Sequence, residues 1–253
     1  DEILVNAIDQ NTLHPKEVKR IDVGLSSAGI TVKNNGISIP IEIHSETGVY
    51  TPELIFGHLL TSSNYDDNVE RVTGGRNGYG AKLTNIFSKW FEVEVSDGAK
   101  TYTQTWRNNM SVCDKPVIVK SKAKPGVQIK FQPDYEKFGV TYDQTKKLFE
   151  KRVYDAAMWC SCKVHLNDVH IDVGNFQEYA EMYETECESW AKHKQDNWEI
   201  LATYSDTFQQ VSFVNGVCTT KGGSHVDHVI SQIVNEVRKK CKTATPAQIR
   251  SGL

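Results

Sequence analysis

Apolar and polar positions follow two periods along the chain, and the two periods predict helices and strands in separate runs. Helical spacing predicts helices over residues 1–10, 52–60, 81–90, 143–160 and a final stretch ending near residue 240. Alternation with period two predicts strands over residues 20–25, 30–33, 37–43, 91–95, 100–106, 127–131, 198–204 and 208–214. Because these elements lack regular βαβ alternation, the expected fold class is α+β.

Residues 61–80 interrupt this pattern. The stretch is polar, carries glycine at positions 74, 75, 78 and 80, and shows no apolar periodicity. A stretch of about 20 residues without regular pattern inside a compact domain usually forms a functional loop or lid. A change of composition near Gly174-Asn175 then divides the chain. We therefore expect one domain over residues 1–175 and a second over residues 176–253.

Composition and charge narrow the class of protein. Hydrophobic residues make up 39% and charged residues 24%, which is typical of a soluble globular protein. The net charge of -3 gives no strong overall field, so a nucleic-acid partner would need a local basic patch. The scattered cysteines, including Cys160 and Cys162 at a predicted helix-to-strand junction, favour reduced intracellular thiols over a zinc site. No apolar run reaches the roughly 20 residues that cross a bilayer, so no membrane partner is expected.

The first ten residues carry a polar stripe. Glu2 and Asn6 lie four residues apart and Asp9 lies three further on, which places all three on one side of a helix. Their neighbours are apolar, so the helix should be largely buried, and a buried carboxylate is costly without a partner. Two interpretations stand. The stripe is a plain solvent face, or it supplies a carboxylate base at Glu2 and an oxygen ligand at Asn6 for a hard cation such as magnesium.

The glycine segment, residues 72–82 (VTGGRNGYGAK), is the second candidate. Its glycines allow backbone N–H groups to approach a ligand, and a helix N-terminus directly after it favours bound phosphate. The segment is not a P-loop, because Ala81 stands between Gly80 and Lys82, and position 83 is leucine, which excludes a dinucleotide-binding fingerprint. It is either a phosphate-binding loop of another kind or a flexible surface loop.

Three weaker signals remain. Asn34, in the turn Asn34-Asn35-Gly36, is placed to read the edge of a base, although a simple turn explains the motif equally well. Residues 61–64 (TSSN) offer short polar side chains after a helix, where capping is the ordinary explanation. His225 and His228 have the helical spacing of a metal-binding pair, but no third ligand is evident.

The order of these features resembles the ATP site of the superfamily that contains gyrase, heat-shock chaperones, histidine kinases and MutL. Within it, the strings DEILVNAIDQ, LLTSSNYDD, GGRNGYGAK and QVSFVNGVCTTKGGSHVDHV are similar, in order and from end to end, to eukaryotic-type DNA topoisomerase II. The resemblance implies a Bergerat-type ATP-binding sandwich, in which a mixed, mainly antiparallel sheet carries helices on one face. Part of a transducer domain of the ribosomal-S5-like type would follow.

The resemblance also implies site residues, with ATP and Mg²⁺ as cofactors. Glu2 would be the general base that activates the attacking water, Asn6 the magnesium ligand and Asn34 the adenine contact. The ribose or phosphate contacts would be Ser62, Ser63 and Asn64. The residues that wrap the triphosphate would be Gly75, Arg76, Asn77, Gly78, Tyr79, Gly80, Ala81 and Lys82.

The implied partners are double-stranded DNA and a second copy of the chain, in a homodimer that closes through the ATPase gate. Arg238, Lys239 and Lys240 correspond to a basic triplet that contacts DNA in the family. The competing explanation is a helix C-terminus whose cations suit the helix dipole. The implied location is intracellular: the nucleus for a cellular source, or a cytoplasmic replication site for a viral one.

Two departures from the family pattern set further expectations. Ser38 stands where the usual Asn-Asn-Gly-x-Gly turn has its second glycine, which would reshape the floor of the base pocket. The chain ends before the transducer segment that brings a lysine to the γ-phosphate and lacks the N-terminal arm, so we expect it to bind nucleotide better than it hydrolyses it.

The alternative functions are an ATP-driven chaperone or MutL-like mismatch-repair ATPase on the same fold, and a non-enzymatic binding module with a degenerate pocket.

Overall fold

A computed structural model of the chain describes residues 1–58, 72–75, 78–183 and 189–253, which fall into two compact units, residues 1–172 and 173–253. The helices of the first unit are α1 (Glu2–Leu13), α2 (Thr51–Gly57), α3 (Gly80–Ile86) and α4 (Tyr142–Trp159). Its strands are β1 (Arg20–Ser26), β2 (Gly29–Asn35), β3 (Ser88–Ser96), β4 (Lys100–Arg107), β5 (Val112–Cys113), β6 (Val117–Lys120), β7 (Gly126–Pro133), β8 (Lys163–Leu166) and β9 (Val169–His170).

One mixed sheet organises the first unit. Its strand order within the described residues is β5-β4-β3-β7-β2-β1-β8-β9, with β6 also paired to β4. The pair β1–β8 is parallel, and the remaining pairs of this sheet are antiparallel. Helices α1 to α4 each contact strands of this sheet. The expected α+β class, with a mainly antiparallel sheet, is confirmed.

An aromatic cluster fills the core between the sheet and α2. Phe91 is fully buried, and its ring centroid lies 6.1 Å from those of Phe56, Trp106 and Phe131. Alternation on β3 places Phe91, Val93 and Val95 on one face, and all three are 0% exposed. The period-two pattern in the sequence therefore reports the packing directly.

The second unit consists of one 17-residue helix and several short elements. Its helices are α5 (Phe176–Ala180), α6 (Ser224–Lys240) and α7 (Pro246–Ser251). Its strands pair as two antiparallel hairpins, β10 (Ala191–Gln195) with β11 (Trp198–Ala202) and β12 (Phe213–Val214) with β13 (Val217–Cys218). In the described part of the chain the helices are too short or too polar to span a bilayer. The five cysteines of that part form no disulfide with one another.

Three element predictions were wrong in extent. Residues 37–42 form no strand, and Ile43 makes only an isolated bridge with Tyr50, because Pro40 has no backbone N–H for a sheet ladder. The helix predicted to reach residue 90 ends at Ile86, since the buried alternating residues of β3 begin at Ser88. Only the last two residues of the predicted strand 208–214 are paired.

Candidate functional site

Helix α1 carries the polar stripe on an otherwise buried helix. Ile3, Leu4 and Val5 are buried, as their apolar spacing requires, whereas Glu2 and Asn6 are exposed. Asp9 is only 7% exposed. The stripe is therefore not a plain solvent face, because its last member is buried as a carboxylate.

Asp9 is bound by the start of the glycine segment. The backbone N–H of Gly74 donates to Asp9 Oδ1 at 2.8 Å, and the N–H of Gly75 donates to Asp9 Oδ2 at 2.9 Å. Burial raises the pKa of the Asp9 carboxyl above its usual value, and the two amide donors offset part of that shift. The sequence placed Asp9 on the stripe but assigned it no role of its own.

The other end of the glycine segment lies against the start of the same helix. A Cβ atom at Gly80 would lie 1.9 Å from Glu2 Oε2, so only glycine permits this approach. Near the first end, a Cβ atom at Gly75 would lie 3.9 Å from Asn6 Oδ1. The structure thus brings Glu2 next to Gly80 and Asn6 next to Gly75, and their assignment to one ATP site stays a prediction.

Lys82 follows in α3 and is nearly fully buried, at 1% exposure. Its Nζ donates to the carbonyl oxygen of Gly78 at 2.7 Å. Burial lowers the pKa of Lys82 to about 8. Of the intervening residues, Ala81 is buried and Tyr79 is exposed. The ammonium group is therefore held against the Gly78 carbonyl at the cost of its own hydration.

The Asn-Asn-Gly turn is fixed by backbone contacts. Asn35 Oδ1 accepts hydrogen bonds from the N–H groups of Lys19 (2.9 Å) and Arg20 (2.8 Å). Gly36 has a φ of +95°, and a Cβ atom there would lie 2.2 Å from the Glu17 carbonyl oxygen. These two residues therefore have structural roles.

Asn34 is buried within β2 and pairs with Ile21 on one side and Val127 on the other. Its Nδ2 donates to the Asn35 carbonyl at 3.5 Å, which places the side-chain amide next to the turn. Ser38, at the position of the family glycine, is half-buried and donates to the Ile39 carbonyl at 3.2 Å. The assignment of Asn34 to adenine remains a prediction.

Several predicted site residues lie outside the described residues. They are the ribose or phosphate contacts Ser62, Ser63 and Asn64, and two members of the glycine segment, Arg76 and Asn77.

The predicted DNA-contacting triplet lies in the second unit, in the last turn of α6. Arg238, Lys239 and Lys240 are exposed there, and Lys239 forms an ion pair with Glu236. Arg238 and Lys239 line an open groove together with Gln232, Asn235, Glu236 and Lys242. The arrangement offers three exposed cations at the end of a helix.

The histidine pair of α6 has separate partners. His225 Nε2 lies 3.1 Å from Thr219 Oγ1 and 3.4 Å from Ser212 Oγ, whereas His228 Nε2 lies 2.6 Å from Gln232 Nε2. Across the described residues, no group of three or more His, Cys, Asp or Glu side chains is arranged to hold a metal ion. His225 therefore links the first turn of α6 to the two residues that flank the β12–β13 hairpin.

Comparison with known proteins gives concordant matches. The DNA gyrase B family model matches residues 169–249. DNA topoisomerase 2 of Arabidopsis thaliana is 46% identical over 96% of this chain, and that of Saccharomyces cerevisiae is 42% identical over 100% of it. The chain spans 18% and 20% of the length of these two relatives.

Solved structures agree with the sequence relatives. The ATPase region of Saccharomyces cerevisiae topoisomerase II matches all of this chain with a TM-score of 0.92 at 43% identity, and 69% of that structure is covered. The ATPase and transducer domains of DNA topoisomerase II from Balamuthia mandrillaris match with a TM-score of 0.89 at 36% identity, again over 100% of this chain and 69% of that one. The chain therefore belongs to the DNA topoisomerase II family and corresponds to part of its ATPase region.

Proposed function

We propose that this chain binds and hydrolyses ATP at the surface formed by the α1 stripe and the glycine segment. One observation carries the proposal: both ends of the glycine segment lie against α1, Gly74 and Gly75 at Asp9 and Gly80 at Glu2. Gly80 and Gly75 thereby lie beside the exposed side chains of Glu2 and Asn6, respectively. A polyphosphate bound under the segment would meet a carboxylate, an amide oxygen and backbone N–H groups.

Lys82 supplies the positive charge that such a ligand needs. Its ammonium group is buried and donates to a single described acceptor, the Gly78 carbonyl, so a phosphate oxygen would be a stronger partner. The lowered pKa of Lys82 records the cost of burying this cation. A bound triphosphate would relieve that cost, which favours closure of the segment over ATP.

The donor set at the stripe suits magnesium. Mg²⁺ is bound in nucleotide sites by one or two protein oxygens together with substrate phosphates, and Asn6 offers an exposed amide oxygen beside Gly75. When bound, the ion would neutralise charge that develops on the phosphate oxygens. The nucleotide would be bound by Asn6, Lys82 and backbone N–H groups of the glycine segment, with Asn34 as the proposed adenine contact.

Glu2 is the proposed general base. Its carboxylate lies at the end of the glycine segment, where it would orient a water molecule and accept a proton as the water oxygen attacks the γ-phosphorus and the bond to the β-phosphate oxygen breaks. Phosphoryl transfer depends mainly on positioning, so the placement of this carboxylate matters more than its basicity.

The test is a Glu2→Gln variant of the chain, with Glu17→Gln as the control at an exposed carboxylate after α1. Single-turnover ATP hydrolysis should fall by about 100-fold or more in Glu2→Gln, because general-base catalysis contributes that much. Binding of a non-hydrolysable ATP analogue should stay within about threefold, since the carboxamide keeps the shape. Hydrolysis at the parent rate would contradict the role of Glu2.

For the whole protein, we infer a type II DNA topoisomerase in which ATP-driven closure of a homodimer is coupled to passage of one DNA duplex through another. The inference rests on relatives named DNA topoisomerase 2 and on a solved topoisomerase II ATPase region. These matches favour it over a chaperone or MutL-like ATPase on the same fold. Because the relatives are eukaryotic, we propose an intracellular, nuclear location, and the matches offer no support for a viral replication site.

The α6 triplet is the proposed DNA contact. Exposed cations at a helix end would bind phosphates without reading bases. Arg238→Glu/Lys240→Glu should weaken DNA binding and lower the slope of log affinity against log salt by about 0.9 for each phosphate that the chain no longer neutralises. The matched control is the charge reversal Lys122→Glu/Lys124→Glu on the first unit. Equal effects of the two double variants would show that only net charge matters.

A further inference from the structure

The beginning of α1 is held by a buried arginine of α4. Arg152 is 8% exposed, and its Nε donates to Asp1 Oδ1 at 2.7 Å. The other end of the guanidinium group donates to Asp155, whose side chain is 1% exposed. A buried guanidinium must be paired, and this one is paired both within its own helix and with the residue that precedes Glu2.

Lys151, the neighbour of Arg152 in α4, belongs to the same cluster. Lys151 Nζ also donates to Asp155, at 2.9 Å, so two cations share that one carboxylate. Asp1 is the second carboxylate. The pair between Asp1 and Arg152 joins positions 151 residues apart and therefore fixes α1 to α4.

The Asp1 side chain binds Arg152 and does not cap its own helix. It is the N-cap residue of α1, where a carboxylate normally accepts from the N–H groups of the first turn, yet its side chain makes no such bond. Its backbone carbonyl accepts the helical hydrogen bond from the Val5 N–H at 2.9 Å. The backbone of Asp1 thus belongs to α1 while its side chain belongs to the ion pair, and the next residue along the helix is Glu2.

A cavity joins the ion pair to the proposed base. Asp1, Glu2, Gly80 and Arg152 line one mainly apolar cavity of about 380 Å³, together with side chains of the sheet and of α4. The lining is mainly apolar, while the Asp1 side chain at its wall is 47% exposed. Gly80 thus lies against the Glu2 side chain, and Arg152 binds Asp1, the residue that precedes Glu2 in the chain.

We propose that Arg152 is a positioning residue for Glu2: through Asp1 it fixes the first turn of α1 and so places the Glu2 carboxylate against the end of the glycine segment. The proposal rests on the ATP hydrolysis proposed above. Displacement of a reacting group by about 1 Å costs up to about 100-fold in rate, whereas nucleotide affinity depends on groups elsewhere on the stripe.

The experiment compares Arg152→Gln with Lys151→Gln, a matched control because both cations bind Asp155 but only Arg152 reaches Asp1. Single-turnover hydrolysis should fall by about 10-fold to 100-fold in Arg152→Gln, with affinity for a non-hydrolysable ATP analogue within about threefold. Lys151→Gln should keep the parent rate. Arg152→Lys should recover part of the rate, because the cation returns without the second arm of the guanidinium group.

Asp1→Asn keeps the test valid if Arg152→Gln folds poorly, because the Asp1 side chain is 47% exposed. It should reduce hydrolysis as Arg152→Gln does, and the double variant should show no further loss. Parent-rate hydrolysis in Asp1→Asn, or equal losses of rate and affinity in a folded Arg152→Gln, would overturn the proposal. Glu2→Gln distinguishes failure of the positioning role of Arg152 from failure of the proposed function. If Glu2→Gln hydrolyses ATP at the parent rate, the proposed function itself fails.

Discussion

Replacement of Asp9 by asparagine tests how the glycine segment is held to α1. The carboxamide keeps one oxygen for the N–H of Gly74 or Gly75 but presents an NH₂ group to the other, so one of the two half-buried amides loses its acceptor on Asp9. A hydrogen bond to a charged group contributes about 1.5–3 kcal/mol. Relief of the buried charge, which the raised pKa of Asp9 reports, offsets part of the loss. The net cost to the anchored segment is then about 1–3 kcal/mol.

This cost should appear in nucleotide affinity. If the segment must be anchored to cover a triphosphate, about 1–3 kcal/mol corresponds to a loss of about 5-fold to 150-fold in affinity. Isothermal titration of a non-hydrolysable ATP analogue with magnesium measures it directly. Urea unfolding of the same variant should shift the free energy of unfolding by less, about 1 kcal/mol, because relief of the buried charge acts on the whole fold.

Asp97 provides the matched control. Its Oδ1 also accepts from two backbone amides, Ala99 at 2.8 Å and Lys100 at 2.7 Å, but in an exposed turn between β3 and β4. Asp97→Asn should leave nucleotide affinity unchanged. If Asp9→Asn binds the analogue as tightly as the parent chain, the contact between Asp9 and the glycine segment does not serve the nucleotide site.

Acidification should weaken nucleotide binding through Asp9. Because its folded pKa is raised, the carboxyl takes up a proton at a higher pH than an ordinary aspartate and then presents one acceptor fewer to the two amides. The sign for stability is opposite: the folded state binds more protons in the window between the two pKa values, so the Asp9 contribution to stability falls as pH rises through it. Both dependences should be absent from Asp9→Asn.

Three further outcomes are expected. The pKa of Lys82 is lowered to about 8 in the folded chain, so between that value and the ordinary pKa of 10.5 the folded state binds fewer protons than the unfolded state. Stability should therefore rise with pH in that window, and calorimetry near about pH 8.5 should show proton uptake on nucleotide binding. Lys82→Met should abolish both effects. Gly80→Ala should displace Glu2 and reduce single-turnover hydrolysis by about 10-fold or more, and an unchanged rate would contradict the close approach. Phe91→Ala should cost about 3–5 kcal/mol in urea unfolding, whereas the control Phe138→Ala, at an exposed ring, should cost less than about 1 kcal/mol.

The sequence predicted those elements whose periodicity reflects packing. The β1–β2 hairpin, β3, β4, β7 and α4 lie close to where alternation or helical spacing placed them, because each has one face in a continuous core. The short strands β5, β6 and β10 were not predicted. They are short and largely exposed, so their residues carry no alternating signal.

The candidate site was predicted in part for a similar reason. Glycines and a polar stripe are visible as residue types, and the structure brings Glu2, Asn6, Gly75 and Gly80 together. The bidentate use of Asp9 depends on where two amides come to rest 65 and 66 positions later, which no local pattern encodes. The pairing of Arg152 with Asp1 is equally non-local, and its only signal was a charge on the buried side of α4.

A crystal structure of the chain with a non-hydrolysable ATP analogue and Mg²⁺ would show whether α1 and the glycine segment form the nucleotide site. We expect the triphosphate between these two elements, with phosphate oxygens in hydrogen-bonding distance of Lys82 Nζ and of backbone N–H groups of residues 75–82. We also expect the metal ion on Asn6 Oδ1 and the γ-phosphate nearest to Glu2. A nucleotide bound elsewhere, or a triphosphate that leaves Asn6 and Lys82 without contact, would contradict the proposed site.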